Sequence, residues 1–142
     1  MNNNYTYILG PCSIEDQDTF LTVAKELSPL MKGKDWYLKG SFDKANRTSI
    51  HSKRGPGLNE GIRIMEMAKR MYSNVKIITD IHEASQALPL SDVVDVIQIP
   101  AFLCRQTDLL VACAKNFNII NIKKGQWLSA DAMKHAVAKI KE

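Results

Sequence analysis

The sequence predicts a parallel α/β fold, either a doubly wound sheet or a βα barrel, and three observations point there. Strand-like and helix-like patterns alternate along the whole chain, giving five βα units in succession. The third, fourth and fifth strand runs are rich in Val and Ile and almost continuous in hydrophobicity, as in parallel strands covered on both faces. Polar residues gather at or just after the C-terminal ends of the strands, where α/β folds place their ligands.

Tyr5–Leu9 is a short apolar run that Gly10-Pro11 should end, so it reads as the first strand. Asp16–Leu27 carries Phe20, Val23, Ala24 and Leu27 on one helical face, and Pro29 should stop it. Trp36–Gly40 is the second strand, and a long loop from Ser41 to Gly57 follows. Leu58–Tyr72 is the second helix, with an expected buried face of Leu58, Ile62, Met65, Ala68 and Met71. Val75–Thr79 is the third strand, and Asp80 follows it. Glu83–Leu88 is a short helix that Pro89 should stop. Val93–Ile99 is the fourth strand, closed by Pro100. Thr107–Lys115 is the fourth helix, with Asp108 near its N-terminus, where negative charge is favoured. Asn118–Lys123 is the fifth strand, and Ser129 is a good N-cap for a last helix that runs to about Ile140.

At 142 residues, 45% apolar and 24% charged, the composition is that of one soluble globular domain. Nineteen basic and 15 acidic residues leave a formal charge of +4. No Lys/Arg run exceeds two residues, so there is no polybasic arm for nucleic acid, and small anionic substrates suit the balance. Asp95 and Gln98 interrupt the most apolar stretch, which excludes a membrane span there. Met1-Asn2-Asn3-Asn4 lacks the basic region of a signal peptide. Cys12, Cys104 and Cys113 are odd in number and form no CxxC, so they read as free thiols of a reducing, cytoplasmic setting.

Cys12, Lys39, Lys44, Asp80, Gln98 and Lys123 all fall near strand ends. With Arg47 and Arg105 on loops, the three lysines would focus positive potential suited to phosphate and carboxylate groups. The alternative is that these cations are ordinary solvated residues. Lys44-Ala-Asn-Arg-Thr-Ser49 offers an ammonium, an amide, a guanidinium and two hydroxyls, as a sugar phosphate requires, but without the glycine spacing of a P-loop. It reads equally as a polar surface loop. Cys12 could ligate a divalent metal or be a core cysteine. His51 and His82 are not spaced as a metal pair, and Cys104 and Cys113 read as packing residues. Of the carboxylates near His82, Asp80 closes a strand and is the better acid–base candidate, whereas Glu83 also suits a helix start.

At these residues the chain resembles a known family. Lys39-Gly-Ser-Phe-Asp-Lys-Ala-Asn-Arg-Thr-Ser-Ile-His-Ser-Lys-Arg-Gly-Pro-Gly57 is similar to the signature of 3-deoxy-D-manno-octulosonate-8-phosphate synthase. So are Thr79-Asp-Ile-His-Glu83, the run from Asp95 to Asp108, and Asn121-Ile-Lys-Lys-Gly-Gln126. The resemblance implies a (β/α)8 TIM barrel, a homotetramer, and condensation of phosphoenolpyruvate with D-arabinose 5-phosphate in lipopolysaccharide biosynthesis. By motif, Lys44 and Lys123 would hold phosphoenolpyruvate, with Gln98 beside it and Lys39 nearby. Asn46, Arg47 and Thr48 would bind arabinose 5-phosphate. Phe102 and Arg105 would project into a neighbouring subunit's site, and Asp80 would lie in the polar floor. Cys12 resembles the metal-dependent type, which implies a divalent metal ion.

A complete barrel of this kind takes about 250 residues, so the expectation is a single partial barrel domain over residues 1–142 holding five of eight βα units. Such a portion would supply Cys12 as one metal ligand, would be inactive by itself, and would associate through the edge where a sixth strand pairs or adopt a doubly wound sheet. Two function classes follow: a synthase or recognisable half of one, and a non-catalytic phosphate-binding or assembly module made from a half barrel.

Overall fold

The computed structural model describes residues 5–141; the Met1–Asn4 segment and Glu142 lie outside the described residues. The chain divides into two compact units, one up to Thr79 and one from Asp80. All the strand pairs within them are parallel, and helices alternate with strands throughout, so the fold is α/β.

The first unit is built on β1 (Thr6–Ser13), α1 (Gln17–Leu30), β2 (Asp35–Ser41), α2 (Leu58–Met71) and most of β3 (Ile77–Asp80). β2 lies between β1 and β3. Gly10-Pro11 does not end β1 as expected. Leu9 pairs with Leu38 but Cys12 pairs with Gly40, so the first strand carries one extra residue across that step. This is a β-bulge, a place where a proline without an N–H is tolerated. Gly10 is required there: it has φ 151°, and a Cβ on it would stand 2.2 Å from the Lys39 carbonyl oxygen.

Asp16 caps α1, accepting hydrogen bonds from the Thr19 N–H at 2.7 Å and the Thr19 hydroxyl at 3.0 Å. Pro29 lies inside α1 rather than before its end. It sits in the last turn, and the chain leaves the helix within two residues as the Met31 N–H reaches back to Leu27 O, so the break comes slightly late. The buried face of α2 is Gly61, Ile64, Met65 and Ala68, while Met71 is exposed. The face is rotated from the expected one because Gly61 meets Phe42, where a Cβ would stand 2.4 Å from the Phe42 Cβ. Only a residue without a side chain lets the helix lie that close. Phe20, Trp36, Leu38, Phe42 and Met65 form the fully buried centre.

The second unit begins with Asp80, the last residue of β3. Glu83 caps a 3-10 turn, Ala84–Gln86, in a reciprocal capping box with Gln86, so it is a helix-start residue. α3 (Ala87–Ser91) contains Pro89 instead of stopping before it. Pro89 is the third residue of the helix, where an N–H has no intrahelical partner to lose. β4 (Val96–Ile99) is shorter than expected, because the Val93 and Val94 N–H groups bond to Leu90 O in a turn. A 3-10 turn at Ala101–Leu103, α4 (Thr107–Asn116), β5 (Ile120–Ile122) and α5 (Met133–Lys141) complete the unit. Ser129 accepts from the Ala132 N–H at 3.1 Å, so it caps the turn that leads into α5 rather than the helix itself. Within this unit β5 has β4 as its paired neighbour. Among the described residues no helix is long and apolar enough to cross a membrane.

Three exposed carboxylates add a pH-dependent contribution to the stability of the fold. Asp16 is held below its ordinary value of 3.8 by the Thr19 N–H and hydroxyl, and Asp35 by hydrogen bonds from Lys76 and Thr6. Glu60 is held below 4.5 by Arg63. A carboxylate with a depressed native pKa contributes its stability above the unfolded value and loses it as pH falls through the native value. The urea midpoint should therefore change little through these groups above about pH 5 and fall progressively below about pH 4. A midpoint that rises on acidification would contradict these assignments.

Candidate functional site

The candidate residues fall into two groups, one in each unit. In the first unit the bulge carries β1 on to Cys12, which has φ 69° and is exposed. A non-glycine residue in the left-handed region is uncommon and costs backbone energy, a feature that concentrates at functional positions. The Cys12 thiol is not a core group, which removes the packing alternative; it accepts a hydrogen bond from Lys44 Nζ at 3.3 Å. Lys39 lies half-buried within β2.

The Ser41–Gly57 loop is tied at its base, which places Lys44. The Ser41 hydroxyl donates to Asp43 O at 2.7 Å, and the Gly57 N–H to Phe42 O at 3.0 Å. The Lys44 N–H bonds Arg54 O at 2.6 Å, and Arg54 grips the Asp43 carboxylate with both Nε and Nη2. That two-pronged pair raises the Arg54 pKa, so Arg54 is a clasp. Beyond the clasp, Asn46, Arg47 and Thr48 are all exposed. Their side chains make no hydrogen bond or ion pair among the described residues.

In the second unit three strand residues form one polar line. Gln98 in β4 is 5% exposed, and its Nε2 donates to Asp80 Oδ1 at the end of β3. Asn121, opposite Gln98 in the β4–β5 register, donates from Nδ2 to Gln98 Oε1 at 3.0 Å. Burying these groups is tolerable because each is hydrogen-bonded. Asp80 is buried. Lys123 follows β5, its N–H bonded to Ile99 O at 3.0 Å and its side chain exposed. Phe102 and Arg105 lie on the segment after β4, and both are exposed. The Phe102 ring stacks on Trp127 with centroids 5.4 Å apart, and Lys139 Nζ donates to the Arg105 carbonyl.

Cys104 and Cys113 are buried, in keeping with packing roles, and burial pushes the Cys113 thiol up to about 11. His51 is exposed on the loop after β2, and the His82 N–H is taken up by Gln86 Oε1 at 2.9 Å. Among the described residues no group of three or more His, Cys, Asp or Glu side chains is placed to hold a metal ion. Cys12 by itself is fewer donors than a metal site needs. Sequence reasoning quoted Asn121 only within a motif, with no site role, and did not name Trp127. An Asn between two isoleucines in a short strand was a signal for the first; the second carries no local mark.

Residues 1–142 match the DAHP synthetase I family. Several curated proteins named 2-dehydro-3-deoxyphosphooctonate aldolase are similar over nearly the whole chain. One from Campylobacter jejuni subsp. doylei is 55% identical over 135 residues, 94% of this chain and 50% of that protein. One from Wolinella succinogenes is 51% identical over 93% of this chain and 51% of its own length. One from Koribacter versatilis is 49% identical over 95% of this chain and 49% of its own length. The chain spans about half the length of the curated relatives it matches.

Proposed function

This chain belongs to the DAHP synthetase I family, whose fold is of the TIM-barrel type, and from that premise we propose that it serves the condensation of phosphoenolpyruvate with D-arabinose 5-phosphate. The products are 3-deoxy-D-manno-octulosonate 8-phosphate and inorganic phosphate, on the route to lipopolysaccharide. The observation that carries the reading is the 55% identity over 94% of the chain to a protein named 2-dehydro-3-deoxyphosphooctonate aldolase.

In this reading Lys44 and Lys123 hold phosphoenolpyruvate, with Gln98 beside it and Lys39 nearby. Asn46, Arg47 and Thr48 hold arabinose 5-phosphate. The C=C π pair of phosphoenolpyruvate forms the bond to the aldehyde carbon as the aldehyde C=O π bond opens and its oxygen takes up a proton, and water adds at the neighbouring carbon with loss of a proton. The C–O bond to phosphate then breaks, and phosphate leaves with the electron pair. The lysines bring two anions together and stabilise charge as it moves, which supplies proximity and electrostatic stabilisation at once. Asp80 is held by Gln98 and so forms a fixed acceptor in the floor of the site. Phe102 and Arg105 act on the site of a neighbouring copy in a homotetramer, and their exposure supports that role. The setting is the cytoplasm, and residues 1–142 act as one partial barrel domain.

A divalent metal, where bound, would orient the aldehyde or a water. The described residues provide Cys12 for it and do not by themselves complete a site, so Cys12 is proposed as one ligand and no step is assigned to the ion. That shortfall, with the half-length match, supports a second reading: a phosphate-binding or assembly module without turnover.

Calorimetric titration tests the proposal. The 142-residue chain should bind phosphoenolpyruvate and arabinose 5-phosphate saturably, and Lys44→Met should weaken phosphoenolpyruvate about tenfold by removing one charge-assisted contact. Failure to bind either ligand would sink it. The chain by itself should release no phosphate from the pair. Stabilisation by arabinose 5-phosphate without release in any longer form would favour the module, and chelator-sensitive release would show that these residues do complete a metal site.

A further inference from the structure

A cavity of about 250 Å³ in the first unit is lined by Ser13, Glu15, Arg47, Lys53, Arg54 and Gly55. Its three cations are not equivalent. Arg54 is committed to Asp43. Arg47 and Lys53 make no hydrogen bond or ion pair among the described residues, and neither does Glu15. Lys53 does lie close enough for its charge to help lower the Asp16 pKa, but the Asp16 oxygens are already taken by Thr19. The lining therefore has two uncommitted cations against one uncommitted carboxylate.

This is the balance of an anion site, and the two cations offer different grips. A guanidinium binds two phosphate oxygens in a fork, and an ammonium acts as a point charge that adjusts on a flexible stem. An ionised carboxylate accepts hydrogen bonds and donates none, so Glu15 suits the hydroxyl groups of a polyol and opposes a bare phosphate. Together the three groups match a phosphate monoester that carries hydroxyls.

We propose that Lys53 is a second phosphate-contacting cation beside Arg47, and that Glu15 selects the hydroxylated body of the same ligand, a phosphorylated sugar. The assignment rests on the function proposed above and adds two specificity-determining residues to it.

The test titrates the chain with D-arabinose 5-phosphate, inorganic phosphate and D-arabinose. Wild type should bind the sugar phosphate more tightly than either of the others. Lys53→Met should weaken both phosphates about tenfold, and Lys53→Arg should restore most of the loss. Lys32→Met, which removes the same charge outside the cavity, should change neither. Glu15→Gln should leave inorganic phosphate bound at least as well and narrow the preference for the sugar phosphate. Circular dichroism of each variant checks that it is folded. Unchanged sugar-phosphate binding by folded Lys53→Met overturns the proposal while the function reading survives through Arg47. Lys53-dependent binding of inorganic phosphate with no preference for the sugar overturns the role of Glu15 and the substrate reading together.

Discussion

Gly10→Ala is expected to lower the stability of the chain by about 4 kcal/mol or more, a large share of the roughly 5–15 kcal/mol of an ordinary domain. Two costs add at this position. With φ 151° the backbone is one that L side chains rarely adopt, and the new Cβ would stand 2.2 Å from the Lys39 carbonyl oxygen and 2.8 Å from the Lys39 nitrogen. Both neighbours are backbone of the central strand of the unit, so neither can swing away as a flexible side chain would. Gly33→Ala is the control: it also has positive φ, 76°, but nothing lies within 4 Å of its Cβ position. It should cost about 1–2 kcal/mol, from conformation alone. Urea denaturation of the two variants beside wild type measures the difference. Equal losses would mean that the bulge is not held against β2 as described. The consequence reaches function, because the bulge is what carries Cys12 to its exposed position beside Lys44.

Asp80→Ala is expected to cost about 3 kcal/mol, whereas Asp80→Asn should cost far less. Alanine leaves Gln98 Nε2, buried in β4, without the acceptor it now has. Asparagine keeps an oxygen in place, so Gln98 can go on donating while accepting from Asn121. An unmet buried donor carries its full desolvation penalty, which is why the removal of one partner exceeds the net worth of the bond. Thermal melts of the two variants distinguish the cases. If Asp80→Asn is as destabilised as Asp80→Ala, the loss comes from the carboxylate charge and not from the hydrogen bond to Gln98.

Much of the site was legible because its residues stand next to strong local signals. Asp80 closes an apolar run, Gln98 interrupts one, and Lys44 to Ser49 concentrates polar side chains in a loop. What pairs with what was not legible. Arg54 carries no mark of its own in the Lys39–Gly57 run, yet its two-pronged bond to Asp43 makes it the clasp of the loop. Glu83 was an open choice between chemistry and helix start until its reciprocal bonds with Gln86 made it a cap. The two prolines expected to stop helices lie inside them, because the cost of a proline depends on which turn of the helix it occupies.

The sequence by itself determined the α/β class, the order of strands and helices, and the placing of polar residues at strand ends. Those follow from hydrophobic periodicity and from punctuation by Gly and Pro, which act over a few neighbouring residues. Tertiary structure alone decided the bulge that extends β1, the face α2 buries, the Asp80–Gln98–Asn121 line and the cavity that brings Glu15 to Arg47 and Lys53. Each depends on register or close approach between residues well separated along the chain. A one-residue slip or a single Cβ changes such an outcome while leaving the local pattern almost untouched.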